Sequence, residues 1–319
     1  MGGKMDSEKI VLETDTESVG TRADVFLSSS LGITRSAAGR LLESGLVLCG
    51  GKALSKNYKM RSGDRVELTP PEPEECDAEP EDIPLDVVYE DEDVIVINKP
   101  AGMVVHPAPG HRTGTLVSAL LYHCRDSLSS VGGVSRQGII HRIDKDTTGL
   151  IAAAKNDAAH IALSAQLKDH TMHREYLAIL VGRLPERVGT VSKAIARHAS
   201  DRKKMAVYES GTKSARDAVT HYEVISEESG FTLAKMRLET GRTHQIRVHM
   251  ASIGHPVLGD PVYGGDKTLF EKRHKDIFSG QMLHAERLEF IHPRTNGLIS
   301  LTCPPPENFK KAMRLLELE

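Results

Sequence analysis

The chain has 319 residues, of which 39% are hydrophobic and 27% charged, and a formal net charge of −3. That is long enough for one large domain and a small one, each with a core of its own. No apolar run approaches the roughly 20 residues of a membrane helix, and Met1 to Asp6 lacks the apolar centre of a secretion signal, so the expectation is a cytoplasmic protein with no membrane partner. Cys49, Cys76, Cys124 and Cys303 are scattered, without the paired spacing of a zinc site or redox dithiol, and are expected to be reduced structural thiols. Near-neutral total charge hides an uneven distribution, because Glu72 to Asp93 is strongly acidic and the remainder correspondingly basic. Trp is absent and aromatics are only 4%, which argues against binding through many aromatic stacking platforms.

Residues 1–18 are polar and are expected to be flexible. Residues 19–69 predict a small basic domain. Val25, Phe26, Leu27 and Leu31 suit a short helix, and Thr34 precedes a second that ends near Gly45. Short strands follow around the Gly50-Gly51 and Gly63-Asp64 turns. Arg22, Arg35, Arg40 and Lys52 are its candidate nucleic-acid contacts. Residues 70–84 are rich in Pro, Glu and Asp and predict a solvated linker.

The large domain is expected over 85–319. It opens with apolar strands at Leu85–Tyr89 and Val94–Ile97, followed by a helix over Thr115–Tyr122. Asn156-Asp157 can cap a helix running to about Asp169, and Arg174 to Val181 reads as a strand with Tyr176, Ala178 and Leu180 on one face. Arg197 to Met205 is a basic loop. Leu238 to Met250 repeats a polar, glycine-bearing turn set against apolar residues, and reads as extended.

The chain is centred on Gly138 to Leu150, where apolar runs flank a loop bearing His141, Arg142, Asp144, Asp146, Thr147 and Thr148. Loops pinned between rigid strands are where chemistry is usually mounted. Beside Ile143, Asp144 is expected to be partly buried, and a carboxylate stays ionised there only with a partner, which an arginine from elsewhere would supply. A capping or turn-closing role is the plain alternative. A metal-dependent hydrolase using His141, Asp144, Asp146, His244 and His249 is disfavoured, since an extended stretch puts His244 and His249 on opposite faces and no HExxH-like pair exists.

Taken together, these segments resemble a known family. The two helices and small strands of 19–69 are similar to the S4 RNA-binding domain, with Ala23 where a leucine is usual and Cys49-Gly50 where Asn-Gly is usual. His141-Arg142-Ile143-Asp144, the Arg-Glu-Tyr of 174–176 and Gly241 to Arg247 resemble, in order and spacing, three motifs of the pseudouridine synthases of the large-subunit ribosomal RNA type, in the D-type branch that carries an S4 domain. Ile143 replaces a common leucine. The resemblance implies an α+β protein: a small S4-like unit plus a catalytic domain on a mixed, mainly antiparallel sheet flanked by helices. It implies Asp144 as the catalytic carboxylate, Arg247 as its ion-pair partner, Tyr176 beside the base, Arg142 filling the gap left by a flipped uridine, and His141, Arg242 and His244 as substrate contacts. It also implies large-subunit ribosomal RNA or a pre-ribosomal particle as partner. An isomerisation with no redox change calls for no metal and no nucleotide or other cofactor, and a monomer is expected. The rival class is a non-catalytic RNA- or ribosome-binding protein.

Overall fold

Alternation along the strands decides where each layer lies. The computed structural model describes residues 10–33, 35–69, 78–107, 112–131, 136–201, 204–212 and 215–319, and the chain divides into two units, residues 1–75 and 76–319.

In the first unit a strand β1 (Ile10–Glu13) precedes helices α1 (Ala23–Leu31) and α2 (Arg35–Glu43) and strands β2 (Val47–Cys49), β3 (Lys52–Ala53) and β4 (Arg65–Leu68). The sheet order is β1-β4-β2-β3. Residues 10–13 are therefore not the loose terminus expected of 1–18: Ile10 to Glu13 pair antiparallel with Leu68 to Arg65. Residues 1–9 lie outside the described residues. Phe26, Leu27, Leu42, Val47 and Val66 fill the core.

In the second unit β5 (Val87–Glu90), β6 (Val94–Lys99), α3 (Leu116–Cys124), β7 (Thr148–Ala154), α4 (Asp157–Lys168) and β8 (His173–Val181) are followed by β9 (Val188–Ser192), β10 (Ala194–Arg197), β11 (Met205–Tyr208), β12 (Val219–Glu228) and β13 (Phe231–Leu238). Helix α5 (Gln245–Ser252), the short α6 (Leu269–Arg273), β14 (Leu283–Ile291), β15 (Leu298–Thr302) and α7 (Glu307–Leu315) complete it. The nine-stranded sheet runs β5-β6-β7-β14-β8-β13-β12-β9, with β15 on β14; its ladders are antiparallel except β7 against β14.

Strands β6 and β7 are apolar on both faces. Ile95, Ile97, Ile151 and Ala153 pack with α3 residues Leu116, Val117 and Leu120, while Val94, Val96, Leu150 and Ala152 pack with Ala159 and Leu163 of α4. In β8 the odd positions Leu177 and Ile179 join Phe309 and Ala312 of α7. The even positions Tyr176, Ala178 and Leu180 join Ile246 and Met250 of α5. Helices thus cover both faces, which is why these strands read as continuous apolar runs.

Two expectations need correction here. Residues 78–84, read as linker, pack onto this unit: Ala78 is buried beside α3, Glu81 N–H donates to Ser118 O at 3.0 Å, and the Glu81 carboxylate accepts from Gly114 N–H at 2.8 Å. Residues 70–77, with Cys76, lie outside the described residues. Residues 245–252 are helical rather than extended, because Gln245 to Met250 are buried on every side of α5. The alternation of Ile246, Val248 and Met250 mimics a strand. No described helix is long and apolar enough to cross a membrane.

Candidate active site

Of the two apolar runs that flank the loop, the one leading to Asp144 is not a strand and forms a single bridge, Ile139 to Ala153. Ala154 N–H bonds to Gly138 O at 2.7 Å, and Ala152 N–H then donates to His141 Nε2 at 3.0 Å. An imidazole stands where a carbonyl would continue the ladder, which frees the chain to turn outward. Burial pushes the His141 pKa down to about 3, with the nearby Arg174 charge adding to the effect. His141 is a buried anchor at the foot of the loop.

The turn itself is tied at each end. Thr147 N–H donates to Asp144 O at 3.1 Å, and Gln281 Nε2 donates to Thr147 Oγ1 at 3.0 Å. Lys99, fully buried, gives its ammonium to the carbonyls of Pro100, Met103 and Lys145 at 2.7, 3.0 and 2.9 Å. Burial lowers its pKa to about 8, partly opposed by Asp146 and Asp144. At the exit Gly149 has φ +102°, and a Cβ there would stand 2.2 Å from Ala285 O, so only glycine allows β14 to lie alongside β7.

Asp144, its side chain 15% exposed, meets Arg247 from α5, whose Nη1 donates to Asp144 Oδ2 at 2.9 Å. The pairing expected from the sequence is present. The same guanidinium donates Nε and Nη2 to the fully buried Asp260 at 2.7 and 2.9 Å, and lies over the Tyr263 ring at 5.3 Å. Burial opposes the Arg247 charge, but its bonds to Asp260 and the charges of Asp144 and Asp260 outweigh this and raise its pKa. One arginine thus bridges two carboxylates, and the inner one fixes the fork that holds the outer one.

Tyr176 is 5% exposed, and its hydroxyl makes no hydrogen bond among the described residues. Burial raises its pKa, the Arg174 charge opposes and Asp144 reinforces the rise, so the phenol is neutral at physiological pH. Arg242 and His244 line the same cleft as Asp144 and Tyr176, and exposed Arg142 stands at its edge. Gln245 holds their turn: its Oε1 accepts from Thr240 Oγ1 at 2.8 Å and Arg242 N–H at 2.9 Å. Arg242 Nε donates to Asp217 O at 3.2 Å. His244, left-handed at φ 56°, caps α5 and reaches Tyr263 O–H at 3.0 Å. The four cations of the small unit stand apart from this site in sequence. Arg22 and Arg35 donate to buried Asp24 at 2.9 and 2.8 Å, whereas Arg40 and Lys52 are exposed.

Lys99, Asp260, Tyr263 and Gln245 were not singled out from the sequence, although a lysine closing an apolar strand and an aspartate within Gly259-Asp260-Pro261 are visible signals. His141, Asp144, Asp146, His244 and His249 do not form a metal cluster: among the described residues the group of ligand atoms within 4.8 Å of one another is Asp91, Asp93 and His292. His249 is buried against Thr220 Oγ1 and Lys193 O at 2.9 and 3.0 Å.

A carboxylate aimed by a buried guanidinium, next to an apolar ring wall and under a rim of cations, suits a planar base on an anionic strand. Comparison with known proteins agrees. The family model described as RNA pseudouridylate synthase matches residues 93–252, and that of the S4 domain matches residues 21–66. The chain is 46% identical over 309 residues to the uncharacterized RNA pseudouridine synthase YlyB of Bacillus subtilis, covering 97% of this chain and 98% of that one. It is 44% identical over 316 residues to ribosomal large subunit pseudouridine synthase D of Zymomonas mobilis, covering 98% of each. Among solved structures it is similar to human RNA pseudouridylate synthase domain containing 1, with a TM-score of 0.54 and 26% identity, covering 70% of this chain and 84% of that one. With these motifs, this fold and these relatives, the chain belongs to the RNA pseudouridylate synthase family and carries an S4 domain.

Proposed function

We propose that the protein isomerises uridines of large-subunit ribosomal RNA to pseudouridine, with Asp144 as the catalytic carboxylate. The observation that supports this most is the Asp144 carboxylate held at 2.9 Å by a buried Arg247 on the wall of a cleft shared with Tyr176. Relatives named ribosomal large subunit pseudouridine synthase D support the choice of RNA. In this reading the target base leaves its helix and lies against Tyr176, and the Arg142 guanidinium stacks where the base was. Asp144 acts at the sugar or the base while the N1 glycosidic bond breaks. The uracil turns, C5 bonds to C1′, the C5 proton leaves with help from the Tyr176 hydroxyl, and N1 takes up a proton, so atoms and electrons balance without a redox partner. The same carboxylate serves attack at C1′, addition at C6 or removal of a sugar proton. Arg242 and His244 contact the nucleotide, and the S4 domain, through Arg40 and Lys52 above all, adds affinity for structured RNA. The protein works as a monomer in the cytoplasm, where ribosomes are assembled.

Wild type and Asp144→Asn, incubated in EDTA with unmodified large-subunit ribosomal RNA and mapped by carbodiimide-dependent reverse-transcription stops, test this. New stops with wild type alone are expected, and their positions name the target uridines. Tight binding without new stops in RNA or in isolated pre-ribosomal particles would leave a non-catalytic RNA-binding protein.

A further inference from the structure

Beside the Asp144 cleft lies a second depression that shares Arg142, Arg174 and Gly241 with its wall and adds His106, Arg136 and His141. Among the described residues no carboxylate lines it. Two of these side chains are buried with N–H groups unmatched. Arg174 is 7% exposed, its side chain forms no hydrogen bond or ion pair among the described residues, and its Nε is sealed from solvent. His141 is 9% exposed, and because its Nε2 accepts from Ala152 N–H, the proton of the neutral ring sits on Nδ1, which is also sealed and partnerless. A buried guanidinium without an acceptor costs stability. Its head group packs against Gly241, where a Cβ would lie 2.8 Å from Arg174 Nη1. Exposed Arg136 and Arg142 stand at the rim.

A lining of this kind suits an anion, and in an RNA strand the anion is the phosphodiester. Arg174 and Tyr176 project from the same face of β8, about 7 Å apart along the strand, a separation comparable to one nucleotide. We propose that this depression is a phosphate subsite, in which Arg174 binds the backbone phosphate flanking the uridine that enters the Asp144 cleft. The assignment rests on the RNA substrate proposed above. It gives Arg174 a binding role: it holds the strand that delivers the uridine to the Asp144 cleft.

Two measurements test it on full-length protein. In single-turnover assays over a salt series, Arg174→Gln is expected to raise the RNA concentration for half-maximal rate about tenfold. It should leave the maximal rate within about threefold and lower the slope of log affinity against log salt by about one; Arg174→Lys should restore the slope. An unchanged slope in folded Arg174→Gln, or a loss confined to the maximal rate, overturns the proposal. The second measurement does not depend on the variant folding. A stem-loop fragment containing a mapped target uridine is made with single methylphosphonates, each removing one backbone charge. Wild type should lose about tenfold at one position within a nucleotide of that uridine, and Arg174→Gln, where it folds, should lose little at the same position. Absence of a sensitive phosphate there overturns the proposal, even with pseudouridine formation intact. Failure of the functional reading shows differently, as no pseudouridine from wild type on any ribosomal RNA.

Discussion

Arg247 and Arg174 are both buried arginines on the walls of adjoining clefts, and their surroundings are opposite. Arg247 has three hydrogen bonds to two carboxylates; Arg174 has none among the described residues. A buried cation with its acceptors in place is finished structure, and what it does for function is hold something else, here Asp144. A buried cation without them among the described residues is an incomplete pair, and the proposed RNA phosphate would complete it. The small unit repeats the contrast at its surface, with Arg22 and Arg35 engaged by Asp24, whose pKa falls to about 2 under the bond from Arg22 and then that from Arg35. Arg40 and Lys52 have no partner among the described residues.

The largest effect should follow from Asp144→Asn, which removes charge from the finished side of the contrast with little change in volume. Product formation should fall by at least about 10³-fold while RNA binding survives. Unlocking Arg247 from within comes next. Asp260→Asn leaves a buried guanidinium short of a countercharge and should cost about 3 kcal/mol in denaturant unfolding; it should also lower the maximal rate, because the fork aiming Asp144 loses its anchor. Unaltered activity in that variant would mean that Asp260 fixes the fold and not the carboxylate.

Acid should act on the same wall more gently. His141 is neutral in the fold, with its pKa depressed to about 3 against an ordinary value of 6.5. The unfolded chain therefore takes up a proton that the folded chain refuses. The contribution of this group is fully present above about pH 6.5 and is lost as pH falls towards 3, at up to about 1.4 kcal/mol per pH unit. Urea unfolding at pH 7, 5.5 and 4.5 should show a decline that is shallower in His141→Gln, which carries no titrating proton. The smallest effects belong to the exposed cations. Arg40→Ala and Lys52→Ala should each weaken RNA binding a few-fold and lower the salt slope by about one. Arg22→Ala should do less to the slope, since one edge of that guanidinium already faces Asp24.

Much of this was legible in the sequence wherever local pattern and burial agree. β8 and α4 follow from alternation and from Asn156, whose side chain accepts from Ala159 N–H as an N-cap should. The pairing of Asp144 with Arg247 across 103 residues was legible only through motif resemblance, since no spacing rule spans that distance. Helix α5 was not legible, because a helix buried on all sides shows no polar face, and its Ile-Arg-Val-His-Met order imitates a strand. Segment 138–143 misled for the opposite reason: an apolar run that looks like a strand gives its ladder position to a histidine side chain. Asp260 and Lys99 stayed hidden because what distinguishes them is burial, and a lone charged residue in a loop or at a strand end is ordinarily solvated.

Gly149 sets an order of events for a chain being made. The exit of the Asp144 loop is aligned by parallel pairing of Thr148 and Gly149 with His284 and Ala285, partners that emerge from the ribosome 136 residues later. The S4 unit and strands β5 to β7 can collapse early from local contacts, but the loop cannot take its final path until β14 arrives. A nascent chain that has exposed its RNA-binding domain therefore has an unassembled cleft, and catalytic competence comes only when nearly the whole protein is free.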